Sequence, residues 1–218
     1  MDSWKASFAS ELGHRLSQPL PGWRAQRTFA PELSYGRHAG PPPAQHRSAS
    51  VLALCYPQHE QWHVVLTLRP ASLPIHAGQV CFPGGEIEHS ETPEHCALRE
   101  LNEELGVATS EVQILGELSR IYIYASHFLV TPLVGFTPHT PEFRADPREV
   151  AEVIPLPLAL LARGAHHGEH WIDRRGLRFR APHIEYAGRR IWGATSMILA
   201  EFAEVLRELR FPFGATLT

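Results

Sequence analysis

The chain of 218 residues is predicted to be an α/β protein. Three observations carry that expectation. Apolar, β-branched runs recur at strand length, a short glutamate-rich segment with helical spacing is set among them, and a longer amphipathic pattern lies near the end. With 44% hydrophobic residues, a chain of this length can bury a full core. One domain with an extension is expected rather than two.

At the start, Trp4, Phe8, Leu12 and Leu16 recur every fourth residue and predict an amphipathic helix. Its polar side is not strongly basic, so packing on the domain's own surface is expected rather than membrane or partner docking. From Pro19 to Ser50 the chain is rich in Pro, Gly and polar residues, including "GPPPAQ", and reads as an irregular connector. The expected division is therefore a helix and connector over residues 1–49 and a compact domain over residues 50–218. "SVLALCYP" and "WHVVLTLR", separated by "QHEQ", predict two antiparallel strands. "QVCF", "VQILGEL", "FLVTPLVGF" and "EVAEVIPL" add further strands. Between Arg163 and Arg190, short strands with exposed loops are expected, and Ile184 and Tyr186 followed by "AGRR" and Ile191 suggest a hairpin. Arg189 and Arg190 would then lie near a turn, as solvated charges or as phosphate contacts. The last pattern, Ala194 to Leu209, places Met197, Ile198, Phe202, Val205, Leu206 and Leu209 on one helical face.

Composition excludes several classes. A net charge of −3 gives no basic footprint for nucleic acid. No run approaches the roughly 20 apolar residues that span a bilayer, and the N-terminus lacks the apolar centre of a signal peptide. Cys55, Cys81 and Cys96 are odd in number with no CxxC spacing, so a disulfide framework and a structural zinc site are not suggested. A reducing cytoplasm is the expected compartment. The sequence fixes no oligomeric state, and a homodimer is compatible with it.

The chemistry concentrates in "FPGGEIEHSETPEHCALRELNEELGV", Phe82 to Val107. Pro93 suits a first helical turn, Thr92 or Ser90 can cap it, and Gly106 can end it. Ala97, Leu98, Leu101 and Leu105 form an apolar stripe. Glu100, Glu103 and Glu104 are expected on the other side, within about 100° of one another. Like charges so placed cost roughly 0.2–0.5 kcal/mol per pair. A hard divalent cation would cancel that repulsion, since oxygen ligands suit magnesium or manganese. Gly84 and Gly85 let backbone approach closely, so a main-chain carbonyl could join the ligands. Such a cation binds phosphate oxygens and acidifies a bound water, which suits phosphoanhydride hydrolysis. Arg99, one turn before Glu103, can orient that carboxylate. Cys96 borders this face, with packing as its expected role.

The spacing is more specific than the charges. From Gly85, five residues lead to Glu91, seven more to Arg99, and then "RELNEELGV" follows. This is similar to the Nudix box, Gly-x5-Glu-x7-Arg-Glu-U-x-Glu-Glu-x-Gly-U with U aliphatic, so the chain resembles a Nudix hydrolase. The resemblance implies an α/β/α sandwich with a mixed central sheet and a loop-helix-loop motif. It also implies hydrolysis of a nucleoside diphosphate linked to a further group, with Mg2+ or Mn2+ as cofactor and no nucleic acid or membrane partner. Glu100 and Glu104 look like the principal metal ligands, Glu103 like a further ligand or water-orienting base, and Gly84 like a carbonyl ligand. Glu91 and Arg99 look like structural braces of the box.

Upstream, "VLTLRPASLPIHAGQVCFPGG" resembles the signature of the coenzyme A diphosphatase branch at Leu66, Thr67, Arg69, Gly78, Phe82, Pro83, Gly84 and Gly85. It departs at Val65, at Pro70, and at Pro74, where that signature has a second Arg. The branch implies cleavage of coenzyme A or acyl-CoA to 3′,5′-ADP and 4′-phosphopantetheine. Arg69 and His76 are candidate substrate contacts, with packing or hydrogen bonding the alternative for His76. Glu149 and Glu152 could supply one more carboxylate or be a solvated strand end. Trp192 reads as core, although an aromatic could stack on adenine. ADP-ribose, a dinucleotide or a nucleoside triphosphate is the alternative substrate, and a non-catalytic nucleotide-binding module is the alternative of another class.

Overall fold

The computed structural model describes residues 3–32, 41–164, 167–174 and 176–210. Strands β1 (Arg47–Gln58) and β2 (Gln61–Leu68) form the expected antiparallel pair, with Gln58 opposite Gln61. His59 and Glu60 between them have φ of 49° and 60°, the left-handed conformation that a two-residue turn needs to match strand twist. β1 begins at Arg47, ahead of the expected boundary at residue 50.

Beyond this turn the two strands part, and the segment leading into the glutamate-rich helix fills the fork. β3 (Val80–Cys81) pairs with the end of β2, and β4 (Gly84–Glu86) pairs with the start of β1. Following the helix come β5 (Gln113–Glu117), β6 (Ile121–Ile123) and β7 (Phe128–Phe136), and later β8 (Glu152–Pro157). β7 runs parallel to β1 from Arg47 to Cys55, whereas the other pairings in the sheet are antiparallel. The result is one mixed eight-stranded sheet, with β8 along the edge of β2 opposite β1 and β3.

Helices cover both faces. α3 (Pro93–Leu105) packs on Leu52, Leu54, Val65 and Leu133. On the other face α1 (Ser3–Leu16), α4 (Leu158–Arg163) and α5 (Ala194–Arg207) meet Ala53, Cys55, Val64, Leu66 and Val134. The alternation of residues 52 to 55 between two cores is what a strand buried on both faces dictates. The architecture is an α/β/α sandwich. The ring of Phe8 from α1 stacks on Trp62, with centroids 4.1 Å apart.

The connector is not wholly irregular. α2 (Trp23–Gln26) and a single 3₁₀ turn at Arg27–Phe29 bury Ala25 and Phe29. The composition hid this helix because Pro and Gly flank it, and its stability comes from tertiary contacts. Glu201 of α5 is fully buried and accepts from the Gly22 N–H at 3.0 Å, Gln26 Nε2 at 2.8 Å and the Ser119 N–H at 3.2 Å. Part of the expected connector, residues 33–40, lies outside the described residues.

A second sheet consists of β9 (His167–Arg174), β10 (Leu177–Tyr186) and β11 (Arg189–Trp192). The expected hairpin is present, with Ile184 opposite Ile191 and Ala187 and Gly188 in its turn at φ of 50° and 71°. Tyr186 Oη donates to the Pro155 carbonyl at 2.8 Å, and Arg189 pairs with Glu152, so the hairpin is fastened to β8. Among the described residues, no helix is long and apolar enough to cross a membrane.

Replacing Glu201 with Ala leaves the Gly22 and Ser119 N–H groups without their acceptor and removes one of the two acceptors of the Gln26 amide. At about 1–3 kcal/mol for each buried unsatisfied group, Glu201→Ala should lower the unfolding free energy by about 3 kcal/mol or more. Urea denaturation of the two proteins measures this difference directly.

Candidate active site

α3 has the limits its sequence predicts. Thr92 Oγ1 accepts from the His95 N–H at 3.2 Å, Pro93 opens the first turn, and Gly106 ends the helix at φ 67°. Ala97, Leu101 and Leu105 are fully buried against the sheet. Glu104 follows Ala97 by seven residues, close to two turns, and so returns to the buried face, where it is only 2% exposed. This corrects the expectation of three carboxylates together on the far side. Glu100 lies at the edge of the core, with a side chain 14% exposed, whereas that of Glu103 is 54% exposed.

The fork between β1 and β2 brings the glycines against these carboxylates. A Cβ on Gly85 would lie 2.1 Å from Glu100 Oε1, and one on Gly84 would meet the Ser50 carbonyl oxygen at 2.4 Å. The first clash would push Glu100 out of place. The second is with backbone that cannot yield, and Gly84 also has φ of 152°. Only glycine allows β4 to run beneath α3 here.

Arg99 gathers the remaining acids. Its Nε donates to Glu91 Oε1 at 2.9 Å and its Nη2 to Glu91 Oε2 at 3.1 Å, a two-pronged pairing. Nη1 donates to Glu100 Oε1 at 2.8 Å and to Glu103 Oε2 at 3.0 Å. Hydrogen bonding from Arg99 holds Glu91 below the usual carboxylate range. Burial pushes Glu100 up, although its bond from Arg99 opposes the shift.

Among the described residues, Glu104 has no such counter-ion in contact. Burial, reinforced by the charge of Glu100, pushes it up to about 8 against the opposing pull of Arg69 and the Gly84 N–H. Its Oε2 is buried without a hydrogen-bond partner, as is Nε of Arg69. Arg69 follows the end of β2, where its N–H donates to the Gln79 carbonyl at 3.0 Å. Beside it, Thr67 Oγ1 lies 3.3 Å from Cys81 Sγ. The buried Cys96 thiol is 3.6 Å from the Gly85 carbonyl and 3.5 Å from that of Glu86, and burial raises it to about 11. Cys96 packs beneath the loop.

His76 is exposed at φ 59°, with Nδ1 2.8 Å from Gln79 Oε1, in the loop between β2 and β3. Glu152 is committed to Arg189. Trp192 is half-buried, edge-on to His170 at 5.8 Å. Glu149, open from sequence as an additional carboxylate or a solvated strand end, is exposed. The segment carrying it starts at α3, where the Arg144 N–H donates to the Leu105 carbonyl at 2.8 Å and the Asp146 N–H to that of Glu104 at 2.9 Å. An acid just ahead of a strand that borders β2 was the available signal.

A family model described as the NUDIX domain matches residues 44–175. The chain belongs to the Nudix family. A Yersinia enterocolitica protein named "Uncharacterized Nudix hydrolase NudL" is 31% identical over 90% of this chain and 96% of its own length. An Escherichia coli protein of the same name is 37% identical over 72% of this chain and 82% of its own. Among solved structures, the MutT protein from Methanosarcina mazei Go1 aligns with a TM-score of 0.50 at 13% identity, covering 75% of this chain and 96% of that one. That likeness bears on the fold alone. As a member of this family of phosphoanhydride hydrolases, the chain is an enzyme acting on nucleoside diphosphate derivatives.

Nudix hydrolases generally use a divalent metal such as Mg2+. Among the described residues, no three His, Cys, Asp or Glu side chains form a ready-made cage for an ion. Glu104 and Glu100 nonetheless fit one: two carboxylates raised by burial, one with an unpartnered oxygen, beside a glycine that leaves room. A hard cation needs only one or two protein carboxylates when water and phosphate oxygens complete its shell.

The raised Glu104 sets a pH dependence for the metal-free protein. The unfolded chain releases this proton near the ordinary value of 4.5, whereas the folded one holds it to about 8. Between those values the folded state binds more protons, so stability falls as pH rises through this window. Metal-free protein should melt several degrees lower at pH 8 than at pH 6, and Glu104→Gln should flatten the difference. Melting curves with a chelator present test both.

Proposed function

We propose that this Nudix hydrolase cuts the diphosphate of coenzyme A or acyl-CoA, giving 3′,5′-ADP and 4′-phosphopantetheine, with Mg2+ or Mn2+ as cofactor in a reducing cytoplasm. The observation that carries the hydrolytic part is the buried Glu104 carboxylate, its Oε2 without a partner among the described residues, beside Glu100 and against a glycine segment no larger residue could form. Glu100 and Glu104 would hold the cation, with the Gly84 carbonyl as a further ligand, and the bound ion would supply charge stabilisation for the phosphates. Arg99 orients Glu100 and, through its two-pronged bond, fixes Glu91 at the start of the box.

Arg69 supports the reading of the substrate. Its buried Nε lacks an acceptor and the residue is close enough to Glu104 to oppose its shift. A guanidinium so placed suits a phosphate oxygen. The preference for coenzyme A over other nucleoside diphosphates rests on the Val65 to Gly85 segment, with Pro74 as its departure. Ile75, the next residue, is 62% exposed and offers that loop no charge. His76 lies beside it with Nδ1 engaged.

The test is a product-identifying assay on coenzyme A, acyl-CoA, ADP-ribose, a dinucleotide and nucleoside triphosphates. Coenzyme A or its acyl esters should give the highest kcat/KM, with 3′,5′-ADP as product. Glu104→Gln should lower turnover by about 10³-fold. Preferential hydrolysis of another diphosphate would replace the substrate, and full activity of Glu104→Gln would remove the site.

A further inference from the structure

We propose that Glu149 is the general base of the hydrolysis, a catalytic residue contributed from outside the box. The proposal rests on the hydrolase reading above and is independent of which nucleoside diphosphate is cut.

The main chain places this residue. Its segment is tied at one end to the carbonyl of Glu104 by the Asp146 N–H, and at the other to the carbonyl of Leu68 by the Ala151 N–H at 2.8 Å. Leu68 immediately precedes Arg69 and is opposite Glu152. Between the ties, the N–H groups of Glu149 and Val150 both donate to the Asp146 carbonyl, at 3.0 and 2.8 Å, which closes a compact turn. Val150 is buried in the cluster beneath α3, so the turn cannot swing away without opening that core. Glu149 is therefore held in the short stretch between the main chain of Glu104 and that of Leu68, the residue before Arg69. The charge of Glu149 helps to raise both Glu100 and Glu104, which agrees with that placement.

Hydrogen-bond accounting then separates the acids around the site. Glu91, Glu100 and Glu103 share Arg99, Glu86 pairs with Arg47, and Glu152 with Arg189. Glu104 is buried away from water. Arg148, the cation nearest in sequence to Glu149, is held by Asp146, with Nε 3.0 Å and Nη2 2.6 Å from its carboxylate. The Glu149 carboxylate is exposed and has no hydrogen bond or ion pair among the described residues. A general base needs an exposed lone pair within reach of the attacking water and no cation already occupying it. Glu103, the other candidate, points to the outer side of α3 and is engaged by Arg99.

In the step assigned to it, a water oxygen forms a bond to one phosphorus of the diphosphate while the bond from that phosphorus to the bridging oxygen breaks. The leaving phosphate takes that electron pair, and the proton released by the water passes to the Glu149 carboxylate.

The experiment compares Glu149→Gln and Glu103→Gln with the wild type in steady-state kinetics on coenzyme A and on ADP-ribose, together with Mn2+ titrations of each protein. Glu149→Gln should lose about 10²–10³-fold in kcat, with KM and the Mn2+ dissociation constant within about twofold of wild type. Glu103→Gln should lose less than about tenfold in kcat. A kcat for Glu149→Gln within a few-fold of wild type would overturn the proposal, and so would a parallel loss of Mn2+ affinity, which would make Glu149 a ligand. Turnover of ADP-ribose but not coenzyme A by the wild type, with the same loss in Glu149→Gln, would refute the substrate and support the base.

Discussion

The burial of Glu104 is the constraint around which the site is built. Its carboxylate belongs to the core-facing side of α3, where the pull of Arg69 and the Gly84 N–H in favour of its charge is outweighed by burial. An isolated carboxylate in such a place is costly, and it either holds its proton or acquires a cation. The surrounding structure makes the burial unavoidable. The stripe that docks α3 is fixed by Ala97, Leu101 and Leu105, and the same helical phase carries Glu104 inward. β4 approaches from below because neither Gly84 nor Gly85 has a Cβ to hold it off. Helix phase and glycine together create a charge deficit, and that deficit is where the proposed cation would bind.

Arg99 deals with the other acids, and the geometry decides how much that is worth. Exposed ion pairs contribute only about 0–1 kcal/mol, which describes its bond to the half-exposed Glu103. Its bond to Glu91 is different, because both oxygens are engaged and the Glu91 side chain is only 13% exposed. This pair closes the loop that begins at the glycines, so the box is a ring of main chain and ion pair rather than a helix with acids on it. Lysine could replace the charge of Arg99 but not its four simultaneous bonds to three carboxylates.

What the sequence revealed follows from how local each signal is. The limits of α3 were legible because Thr92, Pro93 and Gly106 act within one turn of themselves. Both hairpins were legible for the same reason, through "QHEQ" and "AGRR". Helix spacing paired Arg99 with Glu103, whereas its two-pronged bond to Glu91, eight residues away, emerged only in the structure. The fork between β1 and β2 was not legible, since nothing in either strand records that a third segment enters between them. α2 was hidden because Glu201, which holds it, is 175 residues from Gln26. Glu149 looked like any acid ahead of a strand, and it acquires meaning only from main-chain bonds to Glu104 and Leu68. The burial of Glu104 lay between these cases: the seven-residue interval from Ala97 implied it, while its charge suggested the opposite face.

If the charge deficit at Glu104 is what the fold sets aside for a cation, metal binding should depend on that carboxylate and not on Glu152, an exposed acid already paired with Arg189. The direct measurement is a Mn2+ titration of metal-free protein, with Mg2+ as competitor, for wild type, Glu104→Gln and Glu152→Gln. Saturable binding that Mg2+ displaces, weakened tenfold or more in Glu104→Gln and unchanged in Glu152→Gln, is the predicted result. Equal affinity in all three proteins would contradict it.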